Sequence, residues 1–286
     1  MSGVNKLPLT VAGIVGVVSV VGALFVGSSM AEIPSLAPQG AAMQTPDGTS
    51  VQLASYKGDT FSPSQKRELK ELIRAYLVEE PEVLLEAMEA LENKNANATA
   101  EQAQTAILSN WDTLTKAPNS YIGGNPKGDI SIVEFFDYNC GYCKQAMDAV
   151  MEVVKEDGNI RLVLKEFPIL SESSTVASEM AIAALKQGND KYLTFHTLLM
   201  ENKGALTDDK LTDLATESGL NLVQLQADMK APEVQATIDE SYMLARAIGI
   251  RGTPGFVIGE KLYPGAASVE TLKKVVAEAR TSCTKC

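Results

Sequence analysis

At 286 residues, with 45% hydrophobic and 21% charged residues, the chain has material for one sizeable domain with extensions, or for two small domains. A formal net charge of −11 argues against nucleic acid and against an anionic membrane surface as partners. The four cysteines fall as two Cys-x-x-Cys pairs, Cys140/Cys143 and Cys283/Cys286, a pattern of chemistry more than of a disulfide scaffold.

From Leu7 to Gly27 the chain is almost wholly apolar and uncharged, long enough to span a bilayer. Lys6 precedes this run and no Lys or Arg follows until Lys57, which places the N-terminus in the cytoplasm and the rest outside. Ser29-Met30-Ala31 offers a small-residue cleavage site, so residues 1–30 read as a membrane anchor or a cleaved signal. Residues 31–60, rich in Pro, Gly, Ser, Thr and Gln, read as a flexible tether.

Ser62 and Gln65 form a capping box with Pro63 at the first helical position. Leu69, Leu72, Ile73, Tyr76 and Leu77 then make one helical stripe, and a second helix opens near Pro81 with Val83, Leu84, Leu85, Met88 and Leu91. Residues 93–98 look like a hinge before a third helix, capped by Thr99 and carrying Ala103, Ala106, Ile107, Trp111 and Leu114. Short amphipathic helices do not stay folded alone in water, so residues 61–118 are expected to form a helical oligomerisation region. A dimer or trimer through residues 62–117 is favoured over packing on the same chain.

Residues 123–129 form a turn-rich joint. Beyond it the pattern is strand (130–136), helix from about residue 141, strand (160–167), then almost continuous helical periodicity over about 171–248. Two short strands (256–258, 261–263) and a helix (268–280) close the run. That is an α/β plan with a central sheet and an inserted helical subdomain, here residues 119–281. Residues 282–286 form a Cys-x-x-Cys tail.

Cys140-Gly141-Tyr142-Cys143 sits at a strand-to-helix junction. A helix N-terminus there favours a thiolate at Cys140, and Cys143, one turn in, can attack a mixed disulfide formed on Cys140. Zinc would need two further ligands at comparable spacing, and none lie nearby in the sequence. Glu134 interrupts an apolar strand and faces opposite to Val133 and Phe135. Lys165 is a candidate partner for it, or a side chain that snorkels to water. His196, the only histidine, reads as packed on an insertion helix. For Cys283/Cys286 three readings stand: a second redox pair relaying electrons to Cys140/Cys143, a soft-metal site, or a disulfide closed on itself.

Val133-Glu134-Phe135-Phe136, Cys140-Gly141-Tyr142-Cys143, the helical insertion and Gly252-Thr253-Pro254, in that order, resemble the DsbA-like branch of the thioredoxin fold. Tyr76-Leu77 and residues 80–85 resemble the N-terminal extension of the suppressor-of-copper-sensitivity C proteins and of related outer-membrane-associated proteins. The resemblance implies an exposed nucleophile at Cys140, a buried resolving thiol at Cys143 and a proton-shuttling acid at Glu134. It also implies a cis-proline loop at Thr253-Pro254 whose backbone pairs with substrate. Gly141-Tyr142 lacks the dipeptide histidine of the most oxidising members, which weakens a strong-oxidase reading. The expected function is an exported, periplasmic thiol–disulfide oxidoreductase acting on proteins, tethered to the inner membrane or released. Isomerase or reductase work through an oligomer is favoured, recharged by a membrane redox partner and needing no cofactor. The alternatives are a disulfide-forming oxidase and a copper-handling thiol protein.

Overall fold

A computed structural model of the chain describes residues 61–286 in full and, before them, only two short strands. These are β1 (Ala42–Gln44) and β2 (Ser50–Gln52), paired antiparallel inside the stretch read as a tether. The remainder of that stretch and the anchor or signal at 1–30 lie outside the described residues. Among the described residues no helix is long and apolar enough to cross a membrane. Two compact units divide the chain, Met1–Ala75 and Tyr76–Cys286.

Helix α1 (Pro63–Glu79) starts on the expected box. Ser62 N–H donates to Gln65 Oε1 at 2.9 Å, and Gln65 N–H donates to Ser62 Oγ at 3.3 Å. Helix α2 (Glu82–Ser109) then runs unbroken through residues 93–98, where a hinge was expected. Thr99 caps nothing; its hydroxyl donates to Asn95 O one turn back at 2.9 Å. Such a bond leaves the backbone ladder intact, and an asparagine costs a helix only roughly 0.5–0.7 kcal/mol. Leu72 and Leu85, in the predicted stripes, are 66% and 67% exposed. The end of α2 behaves differently: Ala103 and Ile107 are buried with Leu114 of α3 (Trp111–Thr115) against Val133, Phe135, Val163 and Val257. The third stripe is therefore satisfied within its own chain.

Next in order come β3 (Tyr121–Gly124), β4 (Ile130–Phe136), α4 (Gly141–Asp157) and β5 (Ile160–Glu166). The insertion comprises α5 (Glu172–Leu185), α6 (Asn189–Glu201), α7 (Asp208–Glu217), α8 (Leu222–Asp228) and α9 (Pro232–Ile248). β6 (Gly255–Ile258), β7 (Lys261–Pro264) and α10 (Val269–Ser282) finish the unit. The sheet order is β3-β5-β4-β6-β7, with β4 parallel to β5 and antiparallel to β6. Gly123 and Gly124, expected in the turn-rich joint, instead end β3, which pairs antiparallel with β5 at the sheet edge. Its two glycines and short length give it no alternation to read, and Gly124 ends it at φ +62°.

All seven residues of β4 are buried, because both sheet faces are covered. Ile130, Ile132 and Phe136 pack into the cluster with α4 and α10; Val133 and Phe135 pack against α2 and α9. The helix α4 ends on Gly158 in the left-handed conformation, as its C-terminal turn requires. Arg280 of α10 bonds both Asp129 and Asp157, at 2.8 and 2.6 Å, and so fastens α10 to the start of β4 and the end of α4.

Candidate active site

The apolar run of β4 stops at Phe136, and Cys140 becomes the N-cap of α4. Its backbone is extended (φ −80°, ψ 112°), and its sulfur accepts the Cys143 N–H at 3.4 Å. An orphan donor of the first turn thus points at sulfur. The same sulfur is 3.2 Å from Thr253 O, to which its thiol donates. The Thr253–Pro254 peptide is cis, as the family resemblance implied. Cys140 and Cys143 are both free thiols.

The expectation of an exposed Cys140 needs correcting: the residue is 6% accessible, against 0% for Cys143. The Thr253–Pro254 loop lies against it, with Thr253 O 3.2 Å from the sulfur. Burial pushes the Cys143 thiol far above its usual range, and the neighbouring Cys140 and Glu134 add to that. Gly141 has open space where a Cβ would stand, and Tyr142 is 66% exposed, so the dipeptide faces solvent. A cleft of about 410 Å³ runs beside the loop, lined by Ile250, Arg251, Thr253, Pro254, Leu262 and Pro264.

Glu134 is 4% exposed, and burial pushes its carboxyl up to about 8. Its position in β4 shares the face of Ile132 and Phe136, the face that α4 and Cys143 cover. Lys165 is not its partner and does not reach water. Parallel register sets Lys165 beside Phe135 and Leu164 beside Glu134, so the lysine leaves on the opposite face. There, fully buried, it donates to Glu240 Oε1 at 2.9 Å and to Thr113 O at 3.0 Å.

Two further acids were not anticipated. Asp137, fully buried, accepts four hydrogen bonds. Asn139 N–H (2.7 Å) and Ser174 Oγ–H (2.8 Å) reach Oδ1; Ile169 N–H (2.8 Å) and Leu170 N–H (3.0 Å) reach Oδ2. It ties the turn before Cys140 to the segment entering α5. Glu166 accepts from Tyr138 (3.0 Å), Tyr192 (2.9 Å) and Ser178 (2.8 Å), and burial still pushes it up to about 8. His196 lies on α6, as expected, with Nδ1 3.1 Å from the Tyr138 hydroxyl; burial lowers it to about 3. The cue that singled out Glu134, an acid inside an apolar run, applies equally to Glu166.

Cys283 and Cys286 form a disulfide, and the structure does not bring them to Cys140. Gly255 pairs with Phe135 at the active-site end of the sheet, whereas Gly259 N–H bonds Ser131 O near the other end. The tail packs beyond that other end, on Glu260. At 3.3 Å per residue the two cysteine pairs are separated by about 15–20 Å of strand. Electron relay within one chain has no direct path.

Residues 131–277 match the DSBA-like thioredoxin domain, and residues 65–98 match the copper resistance protein ScsC N-terminal domain. A thioredoxin-like oxidoreductase from Silicibacter pomeroyi DSS-3 is 45% identical, with TM-score 0.58, covering 60% of this chain and 98% of that one. Proteus mirabilis ScsC in a transitional conformation is 30% identical, with TM-score 0.58, covering 78% of this chain and 98% of that one. Among curated proteins, the Na(+)/H(+) antiporter NhaA 1 of Salinispora arenicola is 29% identical over 161 residues, 56% of this chain. The match spans only 24% of that antiporter, and the chain spans about a quarter of each of the first three curated relatives. With a family model covering half of the chain, residues 131–277, the chain belongs to the DSBA-like thioredoxin domain family.

Proposed function

We propose that this chain is an exported thiol–disulfide oxidoreductase acting on protein substrates, with isomerase or reductase work favoured over oxidation. The observation that carries the reading is the Cys140 sulfur, capping α4 and facing Thr253 O at 3.2 Å with the Cys143 thiol buried behind it. The Cys140 thiolate attacks a substrate disulfide, forming a mixed disulfide and releasing one substrate thiolate. Cys143 then gives its proton to Glu134 in its ionised form and attacks the Cys140 sulfur. The Cys140–Cys143 disulfide forms, the second substrate thiolate leaves, and two electrons have passed to the substrate. In isomerisation another substrate thiolate performs the second attack and the enzyme pair stays reduced. An extended peptide in the cleft beside Thr253 and Pro254 would bring its disulfide to Cys140.

Export follows from the apolar segment 7–27 and the charge asymmetry around it. The uncovered apolar stripes, Leu72 and Ile73 on α1 and Leu85 and Met88 on α2, each support self-association with the matching stripe of a second copy. An oligomer would hold several active sites around one misfolded substrate. The test is refolding of scrambled ribonuclease by the full chain and by a Leu72→Glu/Leu85→Glu/Met88→Glu variant, with solution mass measured on both. The expected result is that the variant is monomeric and keeps insulin reduction but loses isomerase activity. Equal isomerase activity per active site would remove the assembly from the mechanism, and no insulin reduction by the wild-type chain would remove the enzyme.

A further inference from the structure

The Cys283–Cys286 bond closes a loop of four residues just after α10. So short a loop removes little chain entropy, which makes the bond a weak staple. The loop is nonetheless docked in a defined way. Glu260, 5% exposed in the turn between β6 and β7, directs Oε1 at it. That single oxygen accepts Thr284 N–H at 2.7 Å, Thr284 Oγ–H at 2.6 Å and Lys285 N–H at 2.7 Å. The other oxygen, Oε2, accepts from Gln104 Nε2 of α2 at 3.2 Å. One buried carboxylate therefore joins the tail to the helix that carries the uncovered stripe. Convergence of two successive backbone N–H groups on one oxygen needs the backbone to be bent, and the disulfide holds that bend. Opening the bond returns conformational freedom to the loop, and docking must then overcome it.

We infer that Cys283–Cys286 is a second thiol–disulfide exchange site, and that its redox state latches or releases the tail at Glu260. The reductant is a dithiol on a separate protein molecule, since Cys140 and Cys143 of the same chain lie at the far end of the sheet. One thiolate of that dithiol attacks a tail sulfur and forms a mixed disulfide. Its second thiol resolves the mixed disulfide, and both electrons and two protons end on Cys283 and Cys286. Cys283 and Cys286 are partly accessible, and Thr284 and Lys285 between them are exposed, so an incoming thiol has an approach. The inference is independent of the reaction proposed for Cys140.

The experiment uses the full-length chain with Cys140→Ser and Cys143→Ser, leaving only the tail pair to titrate, and reduced thioredoxin as the probe dithiol. Thiols are counted by alkylation and mass, and amide hydrogen exchange is followed over residues 279–286. The expected outcome is reduction of the pair in the folded protein, with loss of protection at Thr284 and Lys285. A Glu260→Gln substitution, with its fold checked by circular dichroism, should speed reduction about tenfold by weakening charge-assisted bonds to the loop. A tail that stays oxidised in the folded protein overturns the proposal. So does reduction that leaves those amides protected, or a Glu260→Gln rate equal to that of the parent.

Discussion

The Cys140 sulfur lies 3.2 Å from the carbonyl oxygen of Thr253, a residue 113 positions further along the chain. Two loops that are remote in sequence meet there because β4 and β6 are adjacent and antiparallel, with Phe135 opposite Gly255. The carbonyl receives the thiol, and a substrate strand entering the neighbouring cleft would take the thiol's place against the Thr253 backbone. Replacing Cys140 by Ser should reduce insulin reduction to background. Replacing Cys143 by Ser should leave attack intact but block resolution, so that a one-to-one mixed disulfide accumulates on Cys140, visible by mass under non-reducing conditions. A mixed disulfide that accumulates on Cys140→Ser and not on Cys143→Ser would reverse the roles given to the two sulfurs.

Burial pushes the Glu134 carboxyl up to about 8 from an ordinary 4.5. Between those values the folded protein binds more protons than the unfolded chain, so stability falls as pH rises from about 4.5 to 8. Glu166, also near 8, acts with the same sign. Glu134→Gln should flatten part of that slope in urea titrations run across the window, and Glu134→Gln with Glu166→Gln should flatten more. In stopped-flow resolution of a mixed disulfide, Glu134→Gln should be slower by about 100-fold or more, the usual range for a lost proton acceptor.

Asp137 satisfies four donors in a site closed to solvent. Asp137→Ala leaves them unpaired and should cost about 3–5 kcal/mol in chemical denaturation. Asp137→Asn keeps the shape but turns an amide N–H towards a donor, for about 2–3 kcal/mol. Because Asn139 immediately precedes Cys140, either change should also slow alkylation of Cys140 or broaden its rate distribution.

The Lys165–Glu240 pair predicts an asymmetry. Lys165 is fully buried, whereas the Glu240 side chain is 34% exposed. Glu240→Ala strands a buried ammonium and should destabilise by about 3 kcal/mol. Lys165→Met removes that charge and leaves a carboxylate that water can reach, so the expected change is within about 1 kcal/mol. Urea midpoints of the two variants decide the matter; equal losses would refute the asymmetry.

Much of the candidate site was legible because its signals are local. The cap of α4, the alternation that turns Glu134 away from Phe135, and the packed His196 all depend on residues a turn or a strand apart. Lys165 was not legible: its face follows from the register of β5 against β4, and one residue of slip would have put it beside Glu134. The misread hinge at residues 93–98 has a different origin. Asparagine/alanine-rich composition suggested a break, but asparagine costs a helix little and Thr99 bonds back to Asn95 O without interrupting the ladder.

What the sequence by itself determined was the order of elements and the placing of Cys140 and Cys143 at a strand-to-helix junction; the proline loop came from the family resemblance. The first two rest on periodicity, capping and residue type, which act over a few neighbours. Only the tertiary structure decided that Cys140 is nearly covered, that Asp137 binds the active-site turn to α5, and that the tail disulfide sits on Glu260 far from Cys140. Each of these depends on which distant segments share a face or an end of the sheet, and that is set by strand register and packing rather than by spacing along the chain.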